Sequence, residues 1–409
     1  MKFSVVIPTR NRLDLLKYAV TSVIQQNYND WEIIISDNAS TEDIEGYIKS
    51  LNDPRIKYSR SAEFLSITES WNRCINLSTG DYILMIGDDD IILKNYFQIA
   101  HNLIEKFEQP DLIYTNAFLY AYPNVIPEFP EGTFQSFGSL HAMPKHEVPF
   151  WLDQTCKLKI LQETLKFNAI YSTNMQHALI HRPLLKKVTR EGKFFHSPYP
   201  DIYAMSAIFL EAERLLIYPK ELVVVGISTK SHGYYFINKK DTEAMGLLNI
   251  KNEMKEISSL RSVLLPGSIV FNFWLGAIEL FKLHFPLKKY NLNLDYQTYR
   301  KIQISYVLWN KAGAPDQFIE LIKNMTFSEK FSNIYYPKIR SFTRNSLPHF
   351  FIKAWDRLRS LMQTPPPPST TYSPLNPPPG YLIPGPKPYQ FATILEIFEQ
   401  VEPVDCSQK

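Results

Sequence analysis

The residues with the clearest chemical capacity are Asp88, Asp89 and Asp90, three consecutive carboxylates at the end of an apolar run over residues 82–86. Adjacent like charges repel one another, and a bound cation relieves them. Their hard oxygens suit Mg²⁺ or Mn²⁺. The plainer alternative for such a triplet is a solvated acidic loop. Two further polar groups stand at the ends of apolar runs: Pro8, Thr9 and Arg10 after residues 3–7, and Asp37 after residues 31–35. Arg60 follows a short run at 56–58, Asp201 follows the Pro198-Tyr199-Pro200 loop, and His232 lies in Lys230-Ser231-His232-Gly233-Tyr234. Arg60 has the charge to meet a phosphate, and so does Arg10. Arg12 reads as a solvated helix charge.

The elements that must hold these residues alternate. Short apolar runs at 3–7, 31–35, 56–58 and 82–86 read as buried strands, and residues 13–24, 41–51 and 67–77 carry helical apolar spacing. Such βα alternation predicts a mostly parallel sheet flanked by helices. Right-handed crossovers then bring the strand ends to one side, where open α/β sheets bind ligands. Pro8 to Arg10, Asp37 and the acidic triplet therefore converge on one crevice. Beyond residue 107 the spacing predicts a strand at 111–120, a proline-rich loop at 123–149, helical pattern at 147–166, a strand at 176–180 and a helix at 202–212. Two short strands follow at 215–218 and 222–225. Asp201 is expected at or before a helix start, where the helix dipole keeps a carboxylate ionised and where an N-cap role is the structural alternative.

The 409 residues suffice for two domains, and 44 basic against 41 acidic side chains give a net charge of +3, too balanced to point to nucleic acid. Cys74, Cys156 and Cys406 are scattered without metal-ligand spacing, which fits a reducing compartment. The N-terminal apolar run meets a proline and charges too soon for a signal peptide, so a cytoplasmic location is expected. Residues 263–285 are long and largely apolar but interrupted by Pro266, Gly267, Asn272, Glu279 and Lys282. A core or homodimer-interface helix is the first expectation, and a helix in peripheral contact with a membrane is the second. Residues 236–362 read as an α-helical C-terminal region. Residues 363–409 read as a proline-rich, extended tail with a short terminal helix.

Phe-Ser-Val-Val-Ile-Pro-Thr-Arg-Asn at 3–11, Ile-Ile-Ile-Ser-Asp-Asn-Ala-Ser at 33–40, and Gly80-Asp81-Tyr82 through Gly87-Asp88-Asp89-Asp90 together resemble the nucleotide-sugar-dependent, inverting glycosyltransferases of family 2, which have the GT-A fold. The resemblance is close over residues 1–110 and looser to about 230. It implies a GT-A domain over 1–235, with a nucleotide-binding half at about 1–110 and an acceptor half at 111–235. It implies that Pro8, Thr9 and Arg10 line the nucleotide and that Asp37 accepts from a uracil ring N–H. Asp88 and Asp89 would sit at the donor, and Asp90, with Asp88, would hold a Mn²⁺ or Mg²⁺ that stabilises the departing diphosphate. Asp201 matches the position of the base that takes the acceptor hydroxyl's proton, and His232 the place of a further metal or diphosphate contact. His196 lies close enough in sequence to meet the acceptor. Two departures stand out: Ala39 where the family often has Gly, and Pro200 where an acidic residue often precedes the base.

The implied activity is transfer of a sugar from a nucleoside diphosphate donor, UDP-linked by resemblance, to a hydroxyl of a saccharide or lipid-linked glycan in cell-surface polysaccharide synthesis. A sugar-1-phosphate nucleotidyltransferase is the enzymatic rival, but the Gly-rich N-terminal loop that cradles a triphosphate is missing. A non-catalytic sugar-nucleotide or glycan-binding protein is the rival from another class.

Overall fold

The computed structural model describes residues 1–137, 146–168, 170–238, 243, 246, 249, 263–310, 315–335 and 391–407. The proline-rich stretch expected at 363–390 lies outside the described residues. The chain divides into two units: Met1–Ser258 with Phe273–Leu294 and Pro378–Lys409, and Ser259–Asn272 with Asp295–Pro377.

The first unit is a mixed α/β structure around a central sheet. Its strands are β1 (Phe3–Thr9), β2 (Trp31–Asp37), β3 (Ile56–Arg60), β4 (Tyr82–Met85), β5 (Ile91–Ile92), β6 (Leu112–Ala121), β7 (Thr133–Ser136), β8 (Phe150–Trp151), β9 (Ala178–His181) and β10 (Leu215–Ile227). The order is β3-β2-β1-β4-β9-β6-β10-β5, with β7 on β6 and β8 on β10. The strands β3, β2, β1, β4, β6 and β10 run one way, and the short β9, β5, β7 and β8 run against them. Strands β1 and β2 are buried on both faces, which is why they read as continuous apolar runs.

Helices α1 (Leu13–Ile24), α2 (Ile44–Leu51) and α3 (Ile67–Asn76) form the crossovers between the first four strands. Helix α1 buries Leu15, Leu16, Ala19, Val20 and Val23, the helical-spacing residues of the sequence. Helix α2 starts where the Asp43 side chain accepts from Gly46 N, and α3 where Ser66 and Glu69 form a capping box. The later elements depart from expectation in several places: β7 lies inside the loop expected at 123–149, β8 inside the helical pattern expected at 147–166, and two larger stretches are reorganised. The stretch 91–107, whose apolar pattern reads in sequence as one helix, splits into β5 and α4 (Tyr96–Lys106), and the two strands expected at 215–225 are one long strand with register shifts between Tyr218 and Val223. In the second case a bulge carries the polar Pro219-Lys220-Glu221 through the strand without ending it.

Helices α5 (Gln154–Thr164), α6 (Arg182–Val188), α7 (Pro200–Glu211) and α8 (His232–Ile237) complete the chain order up to residue 237. The helix Ile269–His284 buries Phe273, Trp274, Leu275, Ala277, Ile278 and Phe281, and Trp274 donates to the Thr164 carbonyl. Among the described residues no helix is long and apolar enough to cross a membrane. A C-terminal helix, Ile394–Gln400, packs Ile394, Ile397 and Phe398 against Ile91, Leu93, Phe134 and Val224.

The second unit is helical in its described residues. Helix Tyr296–Asn310 holds the incoming chain through two buried side chains: Tyr299 receives the Leu265 N–H, and Gln303 exchanges hydrogen bonds with the backbone of Ser268. Arg300 grips Glu329 through two nitrogens at 2.7 and 2.9 Å.

Candidate functional site

Strand register builds the first half of the site. Thr9 pairs with Asp37 and Asp37 with Arg60, so the last residues of β1, β2 and β3 form a row. Chain leaving β4 extends that row, and the Thr9 hydroxyl donates to Asp88 at 2.7 Å. Arg60, Asp37, Thr9 and Asp88 thus stand side by side where the parallel strands end, as the strand-end rule requires.

Within the row each residue has a defined setting. Asp37 is wholly buried; one oxygen accepts from Ser40 N at 2.9 Å and the other from the Tyr58 hydroxyl at 2.7 Å, with Arg60 Nε 3.6 Å away. Burial, and next the hydrogen bond to that carboxylate, raise the Tyr58 phenol above its usual range. The Arg10 guanidinium sits over the Phe64 ring, 3.6 Å from its centre, and donates to the Asn38 carbonyl. Ala39 takes a left-handed φ of 55°, the conformation that glycine, found there in the family, adopts at no steric cost. Pro8 lines the same strand end, half-buried.

The acidic triplet forms the second half, and its carboxylates point in different directions. Asp88 faces Thr9 and Arg12, whose Nη1 approaches to 2.8 Å. Asp89 accepts from the hydroxyls of Ser228 and Ser231, just beyond β10, and its backbone carbonyl receives the Tyr122 hydroxyl. Asp90 accepts from Gly226 N and from Gln176 Nε2 at 2.8 and 2.7 Å. The chain can come this close only because residue 226 is glycine: a Cβ there would lie 1.8 Å from the Asp89 carbonyl oxygen.

Burial, with Asp89's charge next, raises Asp90 to about 7. Asp88 is also held up, because burial together with Asp89 outweighs Arg12. Burial opposes the charge of Arg12, but Asp88 and Asp89 more than compensate and its guanidinium is held ionised. The triplet is thus short of positive charge.

The residues fit a divalent cation on one structural ground. Asp89 Oδ1 and Asp90 Oδ2 flank Gly87, each 2.9 Å from the place a Cβ would occupy, so two carboxylate oxygens border a cradle that any side chain would fill. One or two protein carboxylates with substrate phosphates are enough for Mg²⁺. Among the described residues no set of three or more His, Cys, Asp or Glu side chains is gathered for a metal. His232 opens α8 with its ring beside Tyr199, 6.4 Å between centres, and burial lowers its pKa to about 4.

Asp201 stands in the first turn of α7, after Tyr199 at the N-cap and Pro200 at the first helical position. Helix α7 precedes β10, whose Gly226 and the following Ser228 stand at the triplet, and Tyr199 reaches His232 in the chain just beyond. Two expectations are corrected here. No side-chain cap is made, since Asp201 lies inside the helix. Nor does the dipole keep it ionised: Oδ1 is buried without a hydrogen-bond partner, and burial raises its pKa to about 8. Desolvation of a carboxylate outweighs the favourable helix terminus.

His196 and the aromatic residues near Asp201 belong to the interior. Its ring packs between Tyr203 and His284, 4.4 and 4.7 Å away, and burial with His284 lowers it to about 4. Phe194 and Phe195 are buried. Arg12, Gln176, Ser228 and Ser231 are partners of the triplet that the sequence motifs do not name. Ser228 follows a strand end as Asp37 does, so the same positional rule would have found it. Nothing local marks Gln176.

Residues 4–154 match the model described as glycosyl transferase family 2. A putative colanic acid biosynthesis glycosyl transferase, WcaA, from Escherichia coli K12 is 32% identical over 138 residues, 32% of this chain and 50% of that protein. A GalNAc(5)-diNAcBac-PP-undecaprenol beta-1,3-glucosyltransferase from Campylobacter jejuni is 34% identical over 96 residues, 23% of this chain and 31% of that protein. The chain thus spans half or less of the length of these relatives. A solved structure of S. aureus TarS 1–349 in complex with UDP aligns with 81% of this chain and 77% of that one, at 14% identity and a TM-score of 0.43.

Proposed function

With a glycosyl transferase family 2 domain over residues 4–154, this chain belongs to the family-2 glycosyltransferases, and we propose that it moves a sugar from a UDP-linked donor to a hydroxyl of a saccharide or lipid-linked glycan, with inversion, in cell-surface polysaccharide synthesis. The observation that carries the reading is the row of Arg60, Asp37, Thr9 and Asp88 at adjacent strand ends, leading into the acidic triplet. In this reading Pro8, Thr9 and Arg10 line the nucleotide. Asp37, whose oxygens already bind Ser40 and Tyr58, has further lone pairs for a uracil N–H. Arg60, half exposed beside it and donating to the Ser40 carbonyl at 2.8 Å, has further N–H groups to offer a phosphate.

Asp90, with Asp88 and Asp89 beside it, would hold Mn²⁺ or Mg²⁺ at the diphosphate; His232 is the outlying candidate for that set. When bound, the cation would offset charge developing on the departing diphosphate. Asp201 would take the acceptor hydroxyl's proton as its oxygen attacks the anomeric carbon from the face opposite the diphosphate. A pKa near 8 makes it a stronger base than an exposed Asp, at the expense of the fraction ionised at neutral pH.

The test is a panel of nucleotide sugars with Mn²⁺, reading UDP release and the anomeric configuration of the product by NMR. Release of UDP with an inverted product is expected for one donor. A protein that binds UDP-sugars yet never releases UDP, with any saccharide acceptor, is a binding protein, and the catalytic reading is then wrong.

A further inference from the structure

Arg12 has a position that a solvated helix charge would not take. It immediately precedes α1, and its side chain, 16% exposed, turns back into the acidic triplet. Nη1 lies 2.8 Å from Asp88 Oδ1 and 4.0 Å from Asp89 Oδ1. Nη2 donates to the Lys230 carbonyl, in the segment whose Ser228 and Ser231 hydroxyls bind the far oxygen of Asp89. Lys230 answers by donating to the Asn11 carbonyl at 3.0 Å. One guanidinium therefore spans the strand-end carboxylates and the loop after β10.

The order of the oxygens matters. Arg12 borders Asp88 Oδ1 and Asp89 Oδ1, while Asp89 Oδ1 and Asp90 Oδ2 flank the Gly87 cradle. Asp89 Oδ1 is common to both places. A divalent ion drawing on that oxygen would sit close to the guanidinium, and two cations in a crevice sheltered from water repel strongly. We propose that Arg12 is the resident counter-cation of the triplet in the donor-free protein, a positioning residue that a divalent ion must displace. The nucleotide diphosphate then offers the displaced guanidinium a new anionic partner, so that metal and donor enter together. The proposal rests on the donor-site reading above. It assigns Arg12 a role in ordering metal and nucleotide binding beyond pairing with Asp88.

The experiment measures Mn²⁺ binding by electron paramagnetic resonance of the free ion, with and without UDP, for the wild-type chain, Arg12→Gln and Arg12→Lys. Folding of each is checked by circular dichroism. Couplings between ligand sites are commonly 5–150-fold, so Arg12→Gln should bind Mn²⁺ without UDP about tenfold more tightly than wild type. Arg12→Lys keeps a cation at the carboxylates and should stay within about threefold of wild type by the same scale. It also serves as the informative variant if Arg12→Gln does not fold. In that case a gain as large as tenfold for the lysine variant overturns the proposal, and wild-type-like affinity with intact UDP coupling supports it. Wild-type Mn²⁺ binding in the presence of UDP, with no gain in Arg12→Gln, overturns the role of Arg12 and leaves the donor reading intact. Equal gains in both variants overturn displacement by charge. No Mn²⁺ binding by any variant, even with UDP, overturns the metal site of the donor reading and this inference with it.

Discussion

The sheet buries carboxylates at both of its ends, and the two ends treat them oppositely. Where the parallel strands begin, Glu32 of β2 is 1% exposed and receives Lys2 and Lys57 at 2.8 and 2.7 Å, the Ser4 hydroxyl at 2.7 Å and the Thr79 backbone N–H. Burial alone would raise its pKa, but these partners overwhelm burial and hold it far below the usual carboxylate range. Where the strands end, Asp88 and Asp89 share a single guanidinium while Asp90 accepts from neutral donors, and Asp88 and Asp90 are pushed upward. Asp201, in the helix leading to β10, is pushed up by burial with nothing to oppose it. A balanced charge is part of the scaffold. An unbalanced one is a place where the fold has left room for a charged ligand.

The comparison breaks most decisively if Asp90 proves structural. Asp90→Asn should lower the transfer rate by about 10²–10³-fold, the scale of losing one transition-state charge contact, while leaving the thermal midpoint unchanged. A variant that transfers sugar at the wild-type rate would move Asp90 to the scaffold class. The mirror experiment is Glu32→Gln, which leaves Lys2 and Lys57 facing a neutral amide. It should cost about 3 kcal/mol in urea unfolding, the scale of breaking a buried pair, with the activity per folded molecule kept.

The smallest effect is a difference of pH trends. Glu32 has a depressed folded pKa, so its stabilisation is present above its unfolded value near 4.3 and fades as acid titrates it. Asp201 has a raised one, so the folded state holds its proton longer than the unfolded chain and stability falls as pH rises from about 4 toward 8. The midpoint of Asp201→Asn relative to wild type should therefore climb across that window. For the wild type, kcat/KM should rise with pH to a plateau above about 8. A flat stability difference between pH 5 and 8 would show that Asp201 is not desolvated.

Legibility followed the range of the interactions involved. Pro8 to Arg10, Asp37 and Asp88 to Asp90 could be placed together from sequence because each directly follows an apolar run, and parallel strands deliver their ends to one edge. The first three crossover helices were readable for the same local reason, their apolar spacing. Partners from distant segments were not. Arg12 meets Asp88 across 76 positions and Gln176 meets Asp90 across 86. The antiparallel β9 between β4 and β6, and the bulge that carries β10 past Glu221, depend on neighbours that no local pattern names.

By itself the sequence determined the α/β class and the edge of the sheet where Thr9, Asp37 and Asp88 gather, because strand period, chain handedness and the chemistry of clustered carboxylates are local or topological properties. It also placed Asp201 near a helix start. Only the tertiary structure decided how each charge behaves there. It turned Arg12 from a surface charge into the cation shared by Asp88 and Asp89, and it reversed the protonation expected of Asp201. The physical reason is the same in both cases: desolvation and the partners of a buried charge are set by what the whole fold packs around it.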